Sequence, residues 1–250
     1  MRILGNVFLV TRRNILQAAM GVLALKANAR PRAPRQSSDA ALRIAIMNQS
    51  SVSVSQDIVD AIQSQVDNDL YPLWAKRAAI RLLDSQTQPE SGEVPCTILD
   101  YTDSPCMLSY HFVSDDGSPY IKVFALTAQY YGRALSSLLS HEILETIVDP
   151  WVSFYCLVDN GNGSGSLYNL EVCDPVQCSF YDINGVTVSD FVTPDFYLPA
   201  MNKTYDHLAL LSAPLTTQPG GNVPMKTING LPSLSSSNWP SLKAGSVFTC

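Results

Sequence analysis

The stretch that most constrains how this chain can fold is Leu138-Leu139-Ser140-His141-Glu142-Ile143-Leu144-Glu145-Thr146-Ile147-Val148-Asp149-Pro150. At helical period Leu138, Leu139, Ile143, Leu144 and Ile147 form a flank that has to be buried, so the pattern predicts a helix held under a sheet. That helix is expected from about Tyr131 to Val148, where Asp149-Pro150 stops it, because a proline ring clashes with a continuing helix. His141 and Glu145 are four apart and stand one above the other on the same face. An imidazole nitrogen and a carboxylate oxygen so placed can reach one divalent ion. Glu142, rotated by roughly a quarter turn, can address a water beside that ion. Asp149 lies about 12 Å further along the axis than His141 and would join them only if the helix broke early.

Around this helix the chain reads as strand, helix, mixed strands, one long helix, then hairpins, which is an α+β order. Leu42 to Met47 predicts a first strand. Ile58, Ile62, Val66 and Leu70 recur every four residues from Asp57 and predict a helix that ends before Pro72. Trp74 to Leu83 predicts a second short helical stretch. Thr97 to Tyr101 is a strand, and Met107 to Val113 pairs with Tyr120 to Ala125 across Asp115-Asp116-Gly117-Ser118-Pro119. Phe154 to Val158 and Leu167 to Val172 flank a loop, Asp159 to Gly165, that lacks the spaced carboxylates of a calcium-binding EF-hand loop. Phe180 to Val192 alternates around Asn184-Gly185, a hairpin signal. Beyond residue 214 the chain turns to Ser, Pro, Gly and Asn, and an irregular segment is expected over 215–250.

The first residues read as an export leader. Arg2, Arg12 and Arg13 precede an apolar run from Ile15 to Leu25, and Ala27-Asn28-Ala29 offers a small-residue cleavage site. Thr11-Arg12-Arg13-Asn14-Ile15-Leu16-Gln17 resembles the twin-arginine signal. The apolar run falls short of the ~20 residues that a spanning helix needs, so no stable membrane insertion is expected once residues 1–29 are removed. Residues 30–41 form a polar lead-in and 42–214 the folded domain. The leader holds four of the 16 basic residues and none of the 22 acidic ones, leaving the mature chain at −10. Such a surface disfavours nucleic acid, which needs clustered Lys and Arg. The six cysteines of an exported chain are read as up to three disulfides, with Cys96–Cys106 and Cys173–Cys178 the nearest in sequence.

The His141 segment resembles the active-site helix of zincin metallopeptidases, in which His-Glu-x-x-His supplies two metal ligands and a general base. The resemblance implies a zincin-like fold: a mixed sheet packed on an N-terminal helix and a central metal-binding helix, followed by β-hairpins. Carried over by position, His141 is the first ligand, Glu142 the base and Glu145 the second ligand. Glu145 stands where the family has histidine, which widens the ion from zinc toward manganese, magnesium or calcium. The glutamate-type zincins carry a third ligand some tens of residues on, with an aspartate near it. Glu171 and Asp174 are similar to that pair, Glu171 as ligand and Asp174 as ligand or as acceptor for His141. Their spacing is one residue shorter than the family's. His207 is a candidate ligand or proton donor to an oxyanion, set against an ordinary surface histidine. His111 is read as an ordinary packed or surface residue.

The function this implies is an exported, metal-dependent hydrolase, most simply a peptidase acting on peptide or protein. The competing expectation is an exported binding or structural module with a structural ion or none. A serine-nucleophile hydrolase is disfavoured, because no Gly-x-Ser-x-Gly elbow is present.

Overall fold

The computed structural model describes residues 7–11, 41–160, 164–198 and 204–229. Its centre is β2 (Leu42–Asn48), whose Ile44, Ala45 and Ile46 are all fully buried. A run apolar on both faces can only be an interior strand. Around it stand β3 (Ala78–Leu82), β4 (Val94–Leu99), β5 (Ser109–Val113) and β6 (Pro119–Phe124), in the order β3-β2-β4-β6-β5. β2, β3, β4 and β6 run parallel, and β5 returns antiparallel to β6 at the edge.

The connection from β2 to β3 is helical, as parallel strands require. α1 (Gln56–Gln65) buries Val59, Ala61 and Ile62, then continues through a π turn at Val66–Leu70 into Tyr71–Trp74. Ala75, at φ 51°, ends it in the left-handed region. The short helix expected over Trp74 to Leu83 is therefore corrected to β3. Its apolar residues suit either period, and parallel pairing with β2 decides between them. The long helix expected from about Tyr131 begins a turn later, as α3 (Leu135–Val148), and a separate short helix, α2 (Ala125–Tyr130), precedes it across a turn through Gly132.

Every residue of α3 from Ser136 to Val148 is buried. It packs against β5 and β6 on one side and against β10 (Val186–Ser189) on the other. β10 pairs with β9 (Phe180–Ile183) across Asn184 and Gly185, both at positive φ, as a tight hairpin turn requires. Ser136 Oγ donates to Thr187 O, and Ser140 Oγ accepts from Ser189 N at 2.7 Å. These bonds explain how a helix with serines on its flank is sealed inside the fold.

A second, antiparallel sheet has the order β1-β7-β8-β11, from β1 (Val7–Thr11), β7 (Phe154–Asp159), β8 (Ser164–Asn169) and β11 (Met225–Asn229). β1 lies within the stretch read as a leader and pairs with β7. The twin arginines, the apolar run and the cleavage site lie outside the described residues. β11 lies in the stretch expected to be irregular, and its pairing with β8 extends the domain past residue 214.

Neither of the two cysteine pairs nearest in sequence is bridged. Cys96 and Cys173 are buried thiols, Cys96 within β4 and Cys173 under α3, so neither is joined to its neighbour in sequence. Burial pushes both thiols up, out of the range of a reactive thiolate.

Candidate metal centre

Three parts of the chain deliver polar side chains to one interior point. α3 brings His141, Glu142 and Glu145, the edge strand β5 brings His111, and the loop after β8 brings Glu171 and Asp174. All six residues are 4% exposed or less.

Glu145 organises the cluster. Its Oε1 accepts the backbone N–H groups of Cys173 at 3.1 Å and Asp174 at 3.3 Å, which ties the loop to the helix. Its Oε2 makes no hydrogen bond and points between the two imidazoles, 3.4 Å from His141 Nε2 and 3.5 Å from His111 Nδ1. Asp174 Oδ1 is also 3.4 Å from His141 Nε2. Both carboxylates thus face the same ring nitrogen, an arrangement in which Asp174 could share an ion with His141 or accept from its ring. Glu171, expected as the third ligand beside His141, is instead on the other side of the cluster, its Oε2 3.6 Å from His111 Nε2 and outside both groups of converging donors. Glu142 Oε2 is 3.2 Å from His111 Nδ1.

The loop is held by the backbone rather than by sulfur. Val192 N donates to Val172 O, Tyr197 OH donates to Glu171 O at 3.0 Å, and Asn222 N donates to Asp174 O at 2.9 Å. Cys173 contributes a long S–H contact of 3.6 Å to His141 O.

Four carboxylates and two imidazoles in a dry interior create a strong demand for positive charge. Burial pushes His111 down, but Glu171, then Glu142 and Glu145, outweigh it and raise the ring to about 10. His141 is raised in the same way by Glu145 and Asp174 against its burial. Burial, then the Glu145 charge, lifts Asp174 to about 6, and burial lifts Glu171 well above its ordinary range. All four shifts favour binding protons, the direction expected where buried negative charge lacks a cation.

The donor set fits a metal. Four donors held by zinc at about 2.0–2.1 Å lie about 3.3–3.4 Å from one another, which is the spacing of His141 Nε2 from Glu145 Oε2 and Asp174 Oδ1. Buried Glu145 Oε2, Asp174 Oδ2, Glu171 Oε2 and His111 Nε2 have no hydrogen-bond partner, as expected of atoms that await an ion. The cluster can therefore hold a divalent cation, among buried His, Glu and Asp groups.

Of the residues singled out in the sequence, His141, Glu142, Glu145, Glu171 and Asp174 come together, and His207 does not. His207 stacks on Phe191, with ring centroids 5.3 Å apart, and sits against Tyr181, its Nε2 4.0 Å from Asp69 Oδ2. An aromatic slot beside α1 is its place, so its assignment as ligand or proton donor is corrected. Asp149 caps the end of α3, its Oδ2 accepting Ser153 N and Phe154 N at 2.7 Å each.

The residue that sequence reasoning missed is His111. Alternation along Tyr110-His111-Phe112 suggests aromatics inward and histidine outward, whereas Phe112 is 40% exposed and His111 buried. The counter-signal was Ser109, which shares the inward face with His111 and is equally buried.

A cavity of about 340 Å³ reaches His141 between Tyr131, Arg133, Leu138, Gln177 and Phe180. Compared with protein-family profiles, curated proteins and solved structures, the chain matches none.

Proposed function

We propose that this chain is an exported, zincin-like, metal-dependent hydrolase, most simply a peptidase, with its ion held by His141, Glu145 and Asp174. The observation that carries the proposal is the pair of carboxylates that converge on one nitrogen: Glu145 Oε2 and Asp174 Oδ1, each 3.4 Å from His141 Nε2. The five-stranded mixed sheet with one antiparallel edge strand, backed by α1 and followed by α3, agrees with that reading. Zinc is the simplest ion by spacing, and manganese or calcium would suit the oxygen-rich set.

A divalent ion there would supply Lewis acidity toward a carbonyl and toward water. The chain supplies the rest. Glu142, one residue after His141 on the same buried helix, would take a proton from water and return it to a leaving amine. Arg133 lines the cavity, donates to Cys178 Sγ and keeps its guanidinium near the Phe180 ring, where it can meet a substrate carbonyl or carboxylate. The twin-arginine leader would let the domain fold, and take up its ion, before export. No helix among the described residues is long and apolar enough to cross a membrane.

A structural role for the ion is the second reading, and the deep burial of all six residues favours it. The two are separated by Glu142→Gln assayed beside the unaltered chain with casein or a quenched peptide library. Hydrolysis by the unaltered chain and at least a ~100-fold loss in the variant, with unchanged metal content by elemental mass spectrometry, is the expected result. Full metal content with no hydrolysis by the unaltered chain would establish the structural reading instead.

A further inference from the structure

Glu145 stands between two groups of donors, and only one is used above. His141, Glu145 and Asp174 make the first; His111, Glu142 and Glu145 make the second. In the second group His111 Nδ1 is 3.2 Å from Glu142 Oε2 and 3.5 Å from Glu145 Oε2, the same range as the donors around His141. The opposite nitrogen, His111 Nε2, faces Glu171 Oε2 at 3.6 Å, beyond hydrogen-bond length, and neither atom has another hydrogen-bond partner. A histidine that ligates through one nitrogen commonly donates its other N–H to a carboxylate, which fixes the tautomer. His111 is laid out for that, with Nδ1 toward the donors and Nε2 toward Glu171.

Charge counting points the same way. With both imidazoles neutral, as ligands must be, and with all four acids ionised, Glu142, Glu145, Glu171 and Asp174 carry four negative charges in a buried volume. One divalent ion leaves half of that uncompensated; two neutralise it. A buried charge left unpaired is among the costliest features a fold can carry.

We infer that the cluster is a two-cation site in which Glu145 bridges the ion at His141 and Asp174 to a second divalent cation held by His111 and Glu142, with Glu171 orienting His111. The inference rests on the metal reading of the His141 position and adds to it. It gives Glu142 two states: a free base while the second position is empty, and a ligand once it is filled. Hydrolysis is then expected to rise and fall again as the ion concentration increases.

The test is equilibrium dialysis of the purified full chain against Mn²⁺, with elemental analysis for stoichiometry and electron paramagnetic resonance for proximity. The expected result is two ions per chain and a spin-coupled spectrum. His111→Gln, and His111→Ala beside it, should keep one ion and give an uncoupled spectrum. Asp174→Asn should lose the other ion and also give an uncoupled spectrum. Circular dichroism on each variant reports whether it is folded, and Glu171→Gln, which leaves every proposed ligand in place, should weaken the second ion about 10-fold or more. One ion in the unaltered chain overturns the two-cation proposal; if His111→Gln keeps that ion the His141 site stands, and if His111→Gln loses it while Asp174→Asn keeps it, the ion belongs at His111 and the His141 site falls as well. No ion at all overturns both.

Discussion

At the scale of single residues, the chemistry of the interior depends on which way each polar atom is turned. Glu145 has one oxygen committed to the backbone of Cys173 and Asp174 and the other left for a cation. That division leaves a loop anchor with one oxygen able to serve as a ligand. A different buried acid shows what happens without a cation nearby. Asp190 accepts the N–H groups of Phe191 and Leu208 with Oδ1 and is pushed by burial, then by neighbouring Asp206, up to about 8. Its value in the unfolded chain is about 3.9. Between those values the folded chain holds a proton that the unfolded chain has released, so stability falls as pH rises. The contribution is complete below the unfolded value and lost as pH climbs through the folded one, at a slope of at most about 1.4 kcal/mol per pH unit. Asp190→Asn cannot ionise and should remove that slope. Thermal unfolding at pH 4.5 and pH 8 is expected to show the variant gaining on the unaltered chain at the higher pH. An equal difference at both would show that Asp190 is already ionised. Residues of this kind were only half legible in the sequence. His141, Glu142 and Glu145 were fixed by helical period, and Glu171 and Asp174 by resemblance. His111 was hidden because Tyr110 and Phe112 compete for the inward face of the same strand.

Among the elements, α3 was the most legible, since an apolar stretch that ends in Asp-Pro has few ways to fold. The hairpins around residues 115–119 and 184–185 were legible for the same local reason, their turn residues. What the sequence did not carry was pairing at a distance: β3 became a strand only because β2 lay beside it, and β11 only because β8 did. The strap formed by residues 218–222 belongs to this second kind. Gln218 N donates to Pro175 O, and Asn222 N donates to Asp174 O, so the strap presses directly on the loop that carries Glu171 and Asp174. The approach is possible because residue 221 is glycine; a Cβ there would stand 2.1 Å from Pro175 O, which is backbone and cannot swing aside. Gly221→Ala should therefore lift the strap, destabilise the chain by about 1–3 kcal/mol as overpacking does, and weaken ion binding by freeing Asp174. Urea unfolding and a metal titration measure the two effects. Unchanged values in both would mean that the strap contributes nothing to the loop.

For the molecule as a whole, the cluster is a joint between three parts that are otherwise held mainly by apolar packing. His111 comes from the edge of the mixed sheet, the three α3 residues from the central helix, and Glu171 and Asp174 from the loop that follows β8. An ion bound there links sheet, helix and loop, and its binding energy becomes folding energy because the unfolded chain has no comparable site. With free ion at 1,000 times its Kd, linkage gives about 4 kcal/mol of added stability. For a domain of this size that corresponds to about 8–16 °C in Tm, at roughly 2–4 °C per kcal/mol. Dialysis against a chelator should lower Tm by that amount, and restoring zinc should recover it. His141→Ala supplies the control, since it should melt low from the start and respond little to chelator. A chelator shift of equal size in both proteins would place the bound ion somewhere other than between α3 and the loop. The absence of any shift in the unaltered chain would mean that protons rather than an ion offset the carboxylates, in the direction in which His111, His141 and Glu171 are already shifted.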